Sequence, residues 1–286
     1  MTRDPIRGQQ KGLEDMRVMN GQLTATPYFV SGAGDPLVLL HGATMSWHVW
    51  EPLFPLLTPH HRILAPTLPG HTGRPATAPV MALDDIVDSV ESAMDDESIT
   101  TANIVGNSLG GLVAMELARR GRARSVVAIS PAGGWTSEGG AAAARAVSDG
   151  QRLVRMIRPI LPIAMRVPWM RQIAFRDIAR NGARLASGRA VQSLCATADS
   201  TLFEHFDEVA VAKPYVDVDT PVLIVWPTRD RILPLRSHGI GWRTLAPGAT
   251  WKVIGGVGHV PMLDDPEGVA RTILDWTRTG SPELFT

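Results

Sequence analysis

The sequence has one cysteine, no charge imbalance and no long apolar run. Cys195 stands alone among 286 residues, so no intrachain disulfide can form, which fits a reducing compartment. Lysine plus arginine and aspartate plus glutamate number 28 each, so the chain has no general attraction to nucleic acid. No apolar run reaches the roughly 18 residues that span a bilayer. These absences predict a soluble, cytoplasmic protein without nucleic-acid partners.

Signatures of cofactor binding are also missing from the sequence. It contains no Walker loop, no dinucleotide fingerprint and no cluster of metal-ligating residues, so we predict no cofactor and no metal. The glycines of residues 32–34 precede a strand pattern rather than opening a helix, which excludes a nucleotide-binding loop. Residues 1–15 are polar, lack the apolar segment of a secretory signal and predict a flexible tail.

Short apolar runs alternate with amphipathic segments along most of the chain. Runs without internal alternation are typical of strands buried on both faces of a sheet. They occupy residues 36–40, 62–65, 102–105, 125–129, 222–226 and 250–254. Residues 17–30 alternate weakly around an Asn-Gly turn and predict two edge strands. Helical periodicity between the runs, as in residues 83–94, predicts a largely parallel sheet covered by helices on both faces.

The alternation stops between residues 133 and 215. This stretch has no convincing strand pattern and is rich in Arg, Ala and Leu, with three prolines that interrupt its helical segments. We therefore predict an all-helical insertion at 133–215 in an α/β core formed by 16–132 and 216–286.

Residues 106–110 read Gly-Asn-Ser-Leu-Gly and fit the G-x-S-x-G pattern. A buried run precedes them and a helical pattern follows. In that context the serine sits on a sharp strand–helix turn that exposes its hydroxyl, and the glycines leave room for the turn. The alternative is a glycine-rich turn around an ordinary serine. The flanking strand and helix favour Ser108 as a nucleophile.

At this motif the chain resembles the α/β-hydrolase superfamily, from about residue 17 onward apart from the helical insertion. The resemblance implies a mostly parallel eight-stranded sheet flanked by helices, with a helical cap inserted after the sixth strand. One segment departs from the family pattern, because Thr67 and Thr72 replace an aspartate and a glycine around a Leu-Pro-Gly-His stretch. That departure weakens the transfer of subfamily detail.

The resemblance also implies an acid and a histidine after the nucleophile, in that chain order. Asp230 follows the run at 222–226 and precedes an apolar residue and a proline, as in the acid loop of the family. His259 lies in a Gly-Gly-Val-Gly-His-Val-Pro loop after the last run. A turn aspartate and a structural histidine are the alternatives. The ordered trio favours Ser108, His259 and Asp230 as nucleophile, base and orienting acid.

Backbone donors for an oxyanion follow from the same resemblance. The residue after the nucleophile, Leu109, supplies one N–H, and Ala43, in the loop after His41-Gly42, supplies the other. His41 itself is expected to brace that loop.

The aromatic residues and the arginines of the insertion leave more than one interpretation open. Trp47, Trp50 and Trp135 are candidates for lining the substrate pocket, although core packing explains each almost as well. Ten arginines lie between residues 145 and 189, against two acids, Asp149 and Asp177. A solvated helix face is the simpler interpretation, and an approach to anionic lipid or an anionic substrate is the alternative.

The sequence therefore predicts a serine hydrolase that cleaves a carboxylic ester of a small or lipid-like apolar substrate. Hydrolysis of a C–C bond in a ring-cleavage product uses the same trio and stays open. So do cofactor-free perhydrolysis or oxygen chemistry, and a ligand-binding protein on a hydrolase scaffold with little or no turnover. The expected partner is a small-molecule ester, and the chain could be a monomer or a homodimer.

Overall fold

The computed structural model describes residues 18–19, 22–23, 28–74, 82–135, 137–202, 212–216 and 218–279. The strands are β1 (Val18–Met19), β2 (Gln22–Leu23), β3 (Tyr28–Ser31), β4 (Asp35–Leu40), β5 (His61–Pro66), β6 (Ala102–Asn107), β7 (Ala123–Ile129), β8 (Val222–Pro227) and β9 (Thr250–Ile254). Seven of them form one sheet in the order β3-β5-β4-β6-β7-β8-β9. Only β3, at one edge, runs antiparallel to its neighbour. The predicted fold class, a mostly parallel sheet flanked by helices, is confirmed.

All six apolar runs form strands of this sheet, and the N-terminal part differs from the prediction in detail. Three short strands lie between residues 18 and 31, where two were predicted. β1 and β2 pair with each other in a separate antiparallel sheet, so the main sheet has seven strands among the described residues and not eight. When β1 and β2 are counted, the helical insertion follows β7, the seventh strand along the chain, and not the sixth as predicted. The predicted tail at 1–15 lies outside the described residues.

Helices cover both faces of the main sheet. They are α1 (Phe54–Leu57), α2 (Leu83–Asp96), α3 (Leu109–Arg119), α4 (Ser137–Ile157), α5 (Leu161–Ala164), α6 (Pro168–Ala174), α7 (Ser187–Asp199), α8 (Ile240–Leu245) and α9 (Pro266–Thr279). Short 3-10 segments lie at Trp47–Leu53, Arg158–Ile160, Gly182–Arg184 and Pro261–Leu263, and a π turn lies at Leu235–Gly239.

Alternate residues of each strand point into different cores, as the period of a strand requires. Val38 and Leu40 pack against α2 and α3, whereas Leu37 and Leu39 pack against α9 and the 3-10 segment after β4. Burial on both faces explains why the strands read as continuous apolar runs.

The segment from residue 137 to residue 202, here called the helical insertion, contains α4 to α7 and no strand. Eight buried side chains form its own small core: Leu161, Ala164, Met165, Phe175, Ala179, Leu185, Ala190 and Leu194. The division into domains at 133 and 215 stays a prediction. In the described part of the chain, no helix combines the length and apolar character needed to cross a bilayer.

Candidate active site

Ser108 occupies the single residue between the end of β6 and the start of α3. Its φ of 55° lies in a region that side chains other than glycine rarely adopt. Three backbone hydrogen bonds hold it there. The N–H of Ser108 donates to Ile129 O at 2.9 Å, and its carbonyl oxygen accepts from Leu112 N at 3.1 Å and from Ala132 N at 3.0 Å. The strained conformation is thus fixed by β7 and α3, and Ser108 stays partly exposed.

The two glycines of the motif make this turn possible. A Cβ on Gly106 would lie 2.0 Å from the carbonyl oxygen of Gly110. A Cβ on Gly110 would lie 2.2 Å from the carbonyl oxygen of Leu40, in the neighbouring strand β4. Both clashes are with backbone, which cannot rotate away. The predicted reason for glycine at these positions therefore agrees with the structure.

His259 and Asp230 form a buried pair. Nδ1 of His259 lies 2.7 Å from Oδ2 of Asp230, and both side chains are almost completely shielded from solvent. The second carboxylate oxygen, Oδ1, accepts the backbone N–H groups of Ile232 at 3.0 Å and Leu233 at 2.7 Å. Because these donors fix the carboxylate, the imidazole has one defined partner at Nδ1, which leaves Nε2 for other contacts.

Asn107 connects the histidine loop to the nucleophile turn. Its side chain is fully buried, and Nδ2 donates to the carbonyl oxygen of His259 at 3.0 Å and to that of Ile129 at 3.2 Å. The side chain of the residue before Ser108 is therefore bonded directly to the backbone of His259. Sequence analysis missed this residue, because position 107 is a free position in G-x-S-x-G.

Within the described residues, Ser108 Oγ and His259 Nε2 are not hydrogen-bonded to each other. Unliganded sites often have long or poorly aligned hydrogen bonds between such groups, which shorten when a substrate binds.

The loop after β4 approaches Ser108 closely. A Cβ on Gly42 would lie 3.3 Å from Cβ of Ser108. The loop turns through Thr44, whose φ is 62°, and Met45 N donates to Gly42 O at 3.2 Å. In the described part of the chain, the N–H groups of Ala43 and Leu109 have no protein acceptor. Leu109 begins α3, so its N–H has none within the helix. The two N–H groups predicted as oxyanion donors are thus unpaired in the described part of the chain, and their role stays a prediction.

His41 braces that loop, as expected from the sequence. Leu68 N donates to His41 Nε2 at 2.9 Å, so the proton must sit on Nδ1, which lies 2.8 Å from Gly42 O. Burial, with a smaller effect of the nearby His71, holds the pKa of His41 well below its ordinary value. The neutral ring therefore connects two loops through both of its nitrogens, and neither nitrogen is free for chemistry.

The predicted pocket tryptophans lie in different surroundings. Trp50 is fully buried in the core between the sheet and α9. The structure corrects the prediction for this residue, since no part of its side chain is accessible to a substrate. Trp47 stacks on His48, with 3.7 Å between the ring centroids, and Trp135 meets the ring of His238 edge-on at 5.8 Å. A substrate role for Trp47 and Trp135 stays a prediction.

A narrow, partly open cleft lies between the loop after β4 and the helical insertion. From the loop side it is lined by Met45, Ser46, His48 and Val49, with Leu263, and from α7 by Arg189, Gln192, Ser193 and Ala196. Arg189 Nη1 lies 3.1 Å from the Glu51 carboxylate, so an ion pair joins the two sides. Burial, together with Arg189, lowers the pKa of His48 to about 4. Sequence analysis did not identify this cleft, since its walls come from distant segments.

Asp264 ties the histidine loop to the helical insertion. Its Oδ2 accepts Gly258 N at 2.8 Å and Arg180 N at 2.7 Å, and its Oδ1 accepts Asn181 N at 2.7 Å. Val260 N also donates to Ile178 O at 2.8 Å. The residues on both sides of His259 are therefore anchored to residues 178–181. Among the described residues, no group of histidine, cysteine and carboxylate side chains is arranged to hold a metal ion.

Comparison with known proteins gives one consistent family. The model of the alpha/beta hydrolase family matches residues 37–272. An epoxide hydrolase of Mycobacterium tuberculosis is 30% identical over 211 residues, which cover 70% of this chain and 96% of the relative. A pimeloyl-acyl-carrier-protein methyl ester esterase of Xanthomonas campestris is 30% identical over 252 residues, which cover 85% of this chain and 95% of the relative.

A solved structure of an esterase from Thermogutta terrifontis superposes with a TM-score of 0.67 at 19% identity, covering 90% of this chain and 96% of that one. Identity at that level shows a shared fold. The family model spans most of the chain and includes the Ser108 turn, Asp230 and His259. This chain therefore belongs to the alpha/beta hydrolase family.

Proposed function

We propose that the protein is a serine hydrolase that cleaves carboxylic esters through an acyl-enzyme. Ser108 is the nucleophile, His259 the general base and Asp230 the acid that orients the histidine. The observation that carries the proposal is the buried His259–Asp230 pair at 2.7 Å, tied to the turn of a strained Ser108 through the Asn107 side chain. This combination supplies a base of fixed tautomer, and it joins the loop of that base to the turn of a partly exposed serine.

The geometry supports a two-step reaction. His259 Nε2 takes the Ser108 proton while Oγ attacks the ester carbonyl, and Asp230 stabilises the imidazolium that forms. The backbone N–H groups of Ala43 and Leu109 receive the negative charge on the carbonyl oxygen. The proton then passes from His259 to the leaving alcohol. In the second step a water molecule, deprotonated by His259, releases the acid and restores Ser108.

The cleft supports a substrate that enters between the sheet and the helical insertion. Its loop wall begins at Met45, two residues after Ala43 in the same loop after β4. Met45, Val49, Ala196 and Leu263 give it apolar lining, which suits a small or lipid-like apolar acyl or alcohol group. In this proposal the insertion acts as a cap that limits access of water to the acyl-enzyme.

Opening of an epoxide, the reaction named for one relative, fits a serine nucleophile poorly. Attack of Ser108 Oγ on an epoxide carbon would form an ether, which has no carbonyl carbon for a later water to attack. An ester intermediate has that carbon. We therefore expect no multiple turnover with epoxides.

Hydrolysis of a C–C bond next to a carbonyl would use the same three side chains. Arg189 lines the cleft and could receive a carboxylate of such a substrate. A vinylogous diketone acid belongs in the same activity panel as the esters, since the relative kcat/KM values separate the two reactions.

The proposal is tested by labelling and turnover together. A fluorophosphonate probe should label the wild-type protein and leave Ser108→Ala unlabelled, and p-nitrophenyl esters of graded chain length should be hydrolysed. Asp230→Asn keeps the size of the side chain but favours the wrong histidine tautomer, so we expect kcat to fall by about 10⁴-fold, as in other Ser-His-Asp enzymes. Far-ultraviolet circular dichroism checks that each variant folds.

Labelling without turnover on any ester or on the diketone acid would instead indicate a ligand-binding protein on this scaffold. Labelling that persists in Ser108→Ala would contradict the proposed nucleophile.

A further inference from the structure

The helical insertion exposes a continuous apolar stripe. Leu153, Met156, Ile160 and Ile163 follow one another at steps of three, four and three residues along consecutive helical segments. That spacing places them on one side of the helical path. All four are exposed, up to 73% for Met156 and 71% for Ile163. Soluble helices normally present polar residues on such a face.

This stripe is not part of the insertion's own core. The opposite side of the same segments packs inward, through Val154, Ile157, Leu161 and Ala164. The core of the insertion is therefore complete without the exposed side chains, which contribute no buried apolar area to the folded chain. Segments that are apolar on both sides meet a second apolar environment elsewhere.

The next helix, α6, also exposes large apolar side chains. α6 exposes Trp169 by 62% and Ile173 by 55%, one helical turn apart. Six of the eleven large exposed apolar side chains in the described part of the chain thus fall between residues 153 and 173. We refer to these six as the outer face: Leu153, Met156, Ile160, Ile163, Trp169 and Ile173.

Arginines are interspersed with the residues of the outer face along the chain. Arg152, Arg166 and Arg176 are all exposed. Arg152 and Arg176 each pair with a nearby aspartate. Exposed arginines also follow at positions 180 and 184. Within the described residues, Arg166, Arg180 and Arg184 form no ion pair, and exposed acids are few there. The surface therefore combines apolar area, an exposed tryptophan and uncompensated positive charge.

We propose that the outer face binds the surface of an anionic lipid bilayer. Apolar side chains with an interspersed tryptophan suit the boundary between headgroups and acyl chains, and arginines suit anionic headgroups. A second copy of this chain fits less well, because a two-fold contact would place the arginines of both copies against one another. The chain would lie on the bilayer and not span it. This inference does not depend on the proposed ester hydrolysis.

Vesicle co-sedimentation of the full chain tests the proposal. We expect binding to vesicles of equal parts phosphatidylcholine and phosphatidylglycerol, and little binding to phosphatidylcholine alone. High salt should weaken binding, because it screens the arginines. Equal binding to both vesicle types, or to neither, would overturn the proposal.

Matched variants locate the binding surface. Ile163→Ser and Trp169→Ala should each weaken binding to the anionic vesicles by about 10-fold or more, since each removes apolar area that enters the bilayer. Val253→Ser, at a 51% exposed position on β9, is the control and should bind as the wild type does. Arg166→Gln should weaken binding by about 5-fold, against no change for Arg271→Gln on α9. Unchanged thermal unfolding confirms that these surface variants are folded.

Quenching of tryptophan fluorescence gives an independent readout. Brominated phosphatidylcholine in the anionic vesicles should quench part of the emission, and Trp169→Phe should remove that quenched part while binding persists. Sedimentation velocity without vesicles measures self-association. A dimer that Ile163→Ser abolishes, without vesicle binding by the wild type, would assign the outer face to a second copy and refute the lipid surface.

Discussion

The turn around Ser108 and the outer face of the helical insertion differ in how far their neighbours fix them. At the turn, backbone hydrogen bonds from β7 and α3 hold Ser108, and the Cβ positions of two glycines are blocked by backbone. On the outer face, large side chains project into solvent. The first region admits almost no change of residue. The second admits many changes without loss of the fold.

This difference matches the two proposed roles, which are catalysis at Ser108 and surface binding by the outer face. Chemistry at a serine needs donors and a base held to a fraction of an ångström, and in the proposed function the loops at the end of the sheet supply them. Recognition of a surface or a flexible substrate needs area and charge more than fixed geometry. Changes confined to the insertion can therefore alter what reaches the site while the site itself stays intact.

The largest contrast should come from adding one methyl group at the Ser108 turn and one in the helical insertion. In Gly106→Ala the new Cβ meets the backbone of Gly110 at 2.0 Å, so we expect a loss of more than about 3 kcal/mol in the free energy of unfolding, or failure to fold. Gly150→Ala lies in helix α4 with no described atom within 4 Å of the new Cβ. It should raise stability by about 0.5–1 kcal/mol.

Urea denaturation of both variants measures these changes. Comparable losses in the two variants would show that the regions are equally constrained.

Acid should destabilise the core through its buried histidines. Burial lowers the pKa of His71 to about 4, from an ordinary value of 6.5. Between those pH values the unfolded chain binds a proton that the folded chain does not, so the free energy of unfolding falls as the pH falls. The expected loss for His71 is roughly 3 kcal/mol over this window and none above it. The helical insertion contains no histidine and cannot contribute in this way.

Denaturation curves across the window check this expectation. His71→Asn can still donate to the carbonyl groups of Leu68 and Pro69, which Nδ1 of the histidine contacts, but it does not titrate. The slope of the unfolding free energy against pH should become shallower by the contribution of about one bound proton. An unchanged slope would mean that His71 is not the group responsible.

A smaller effect is expected where the histidine loop meets the helical insertion. In the wild type, three backbone N–H groups donate to the two carboxylate oxygens of Asp264. Asp264→Asn leaves one side-chain oxygen to accept them, so the histidine loop should lose part of its anchorage to residues 178–181. We expect kcat/KM on esters to fall by about 10-fold, mainly through kcat, because His259 is less well placed.

Asp265→Asn is the matched control, since Asp265 only accepts Gly268 N at the start of α9. Equal kinetics in the two variants would assign Asp264 a purely structural role.

Much of the fold could be predicted, and the site residues could be proposed, because the relevant signals are local. A strand buried on both faces reads as an apolar run, and a strained turn needs its glycines within a few residues. Asp230 and His259 stand directly after such strands, where parallel sheets gather their functional loops. Asn107 gave no signal, because its partner His259 lies 152 residues away. Trp50 was misplaced for a related reason, since local sequence does not separate a core tryptophan from a pocket one.

The Asn107 amide also has a dynamic consequence. Its bond to the carbonyl oxygen of His259 crosses from the residue before Ser108 to the backbone of the base. We expect this bond to couple the thermal motions of the two loops, so that their relative displacement is small. In the proposed reaction, Ser108 and His259 would therefore keep a nearly constant relative position while the surrounding chain moves.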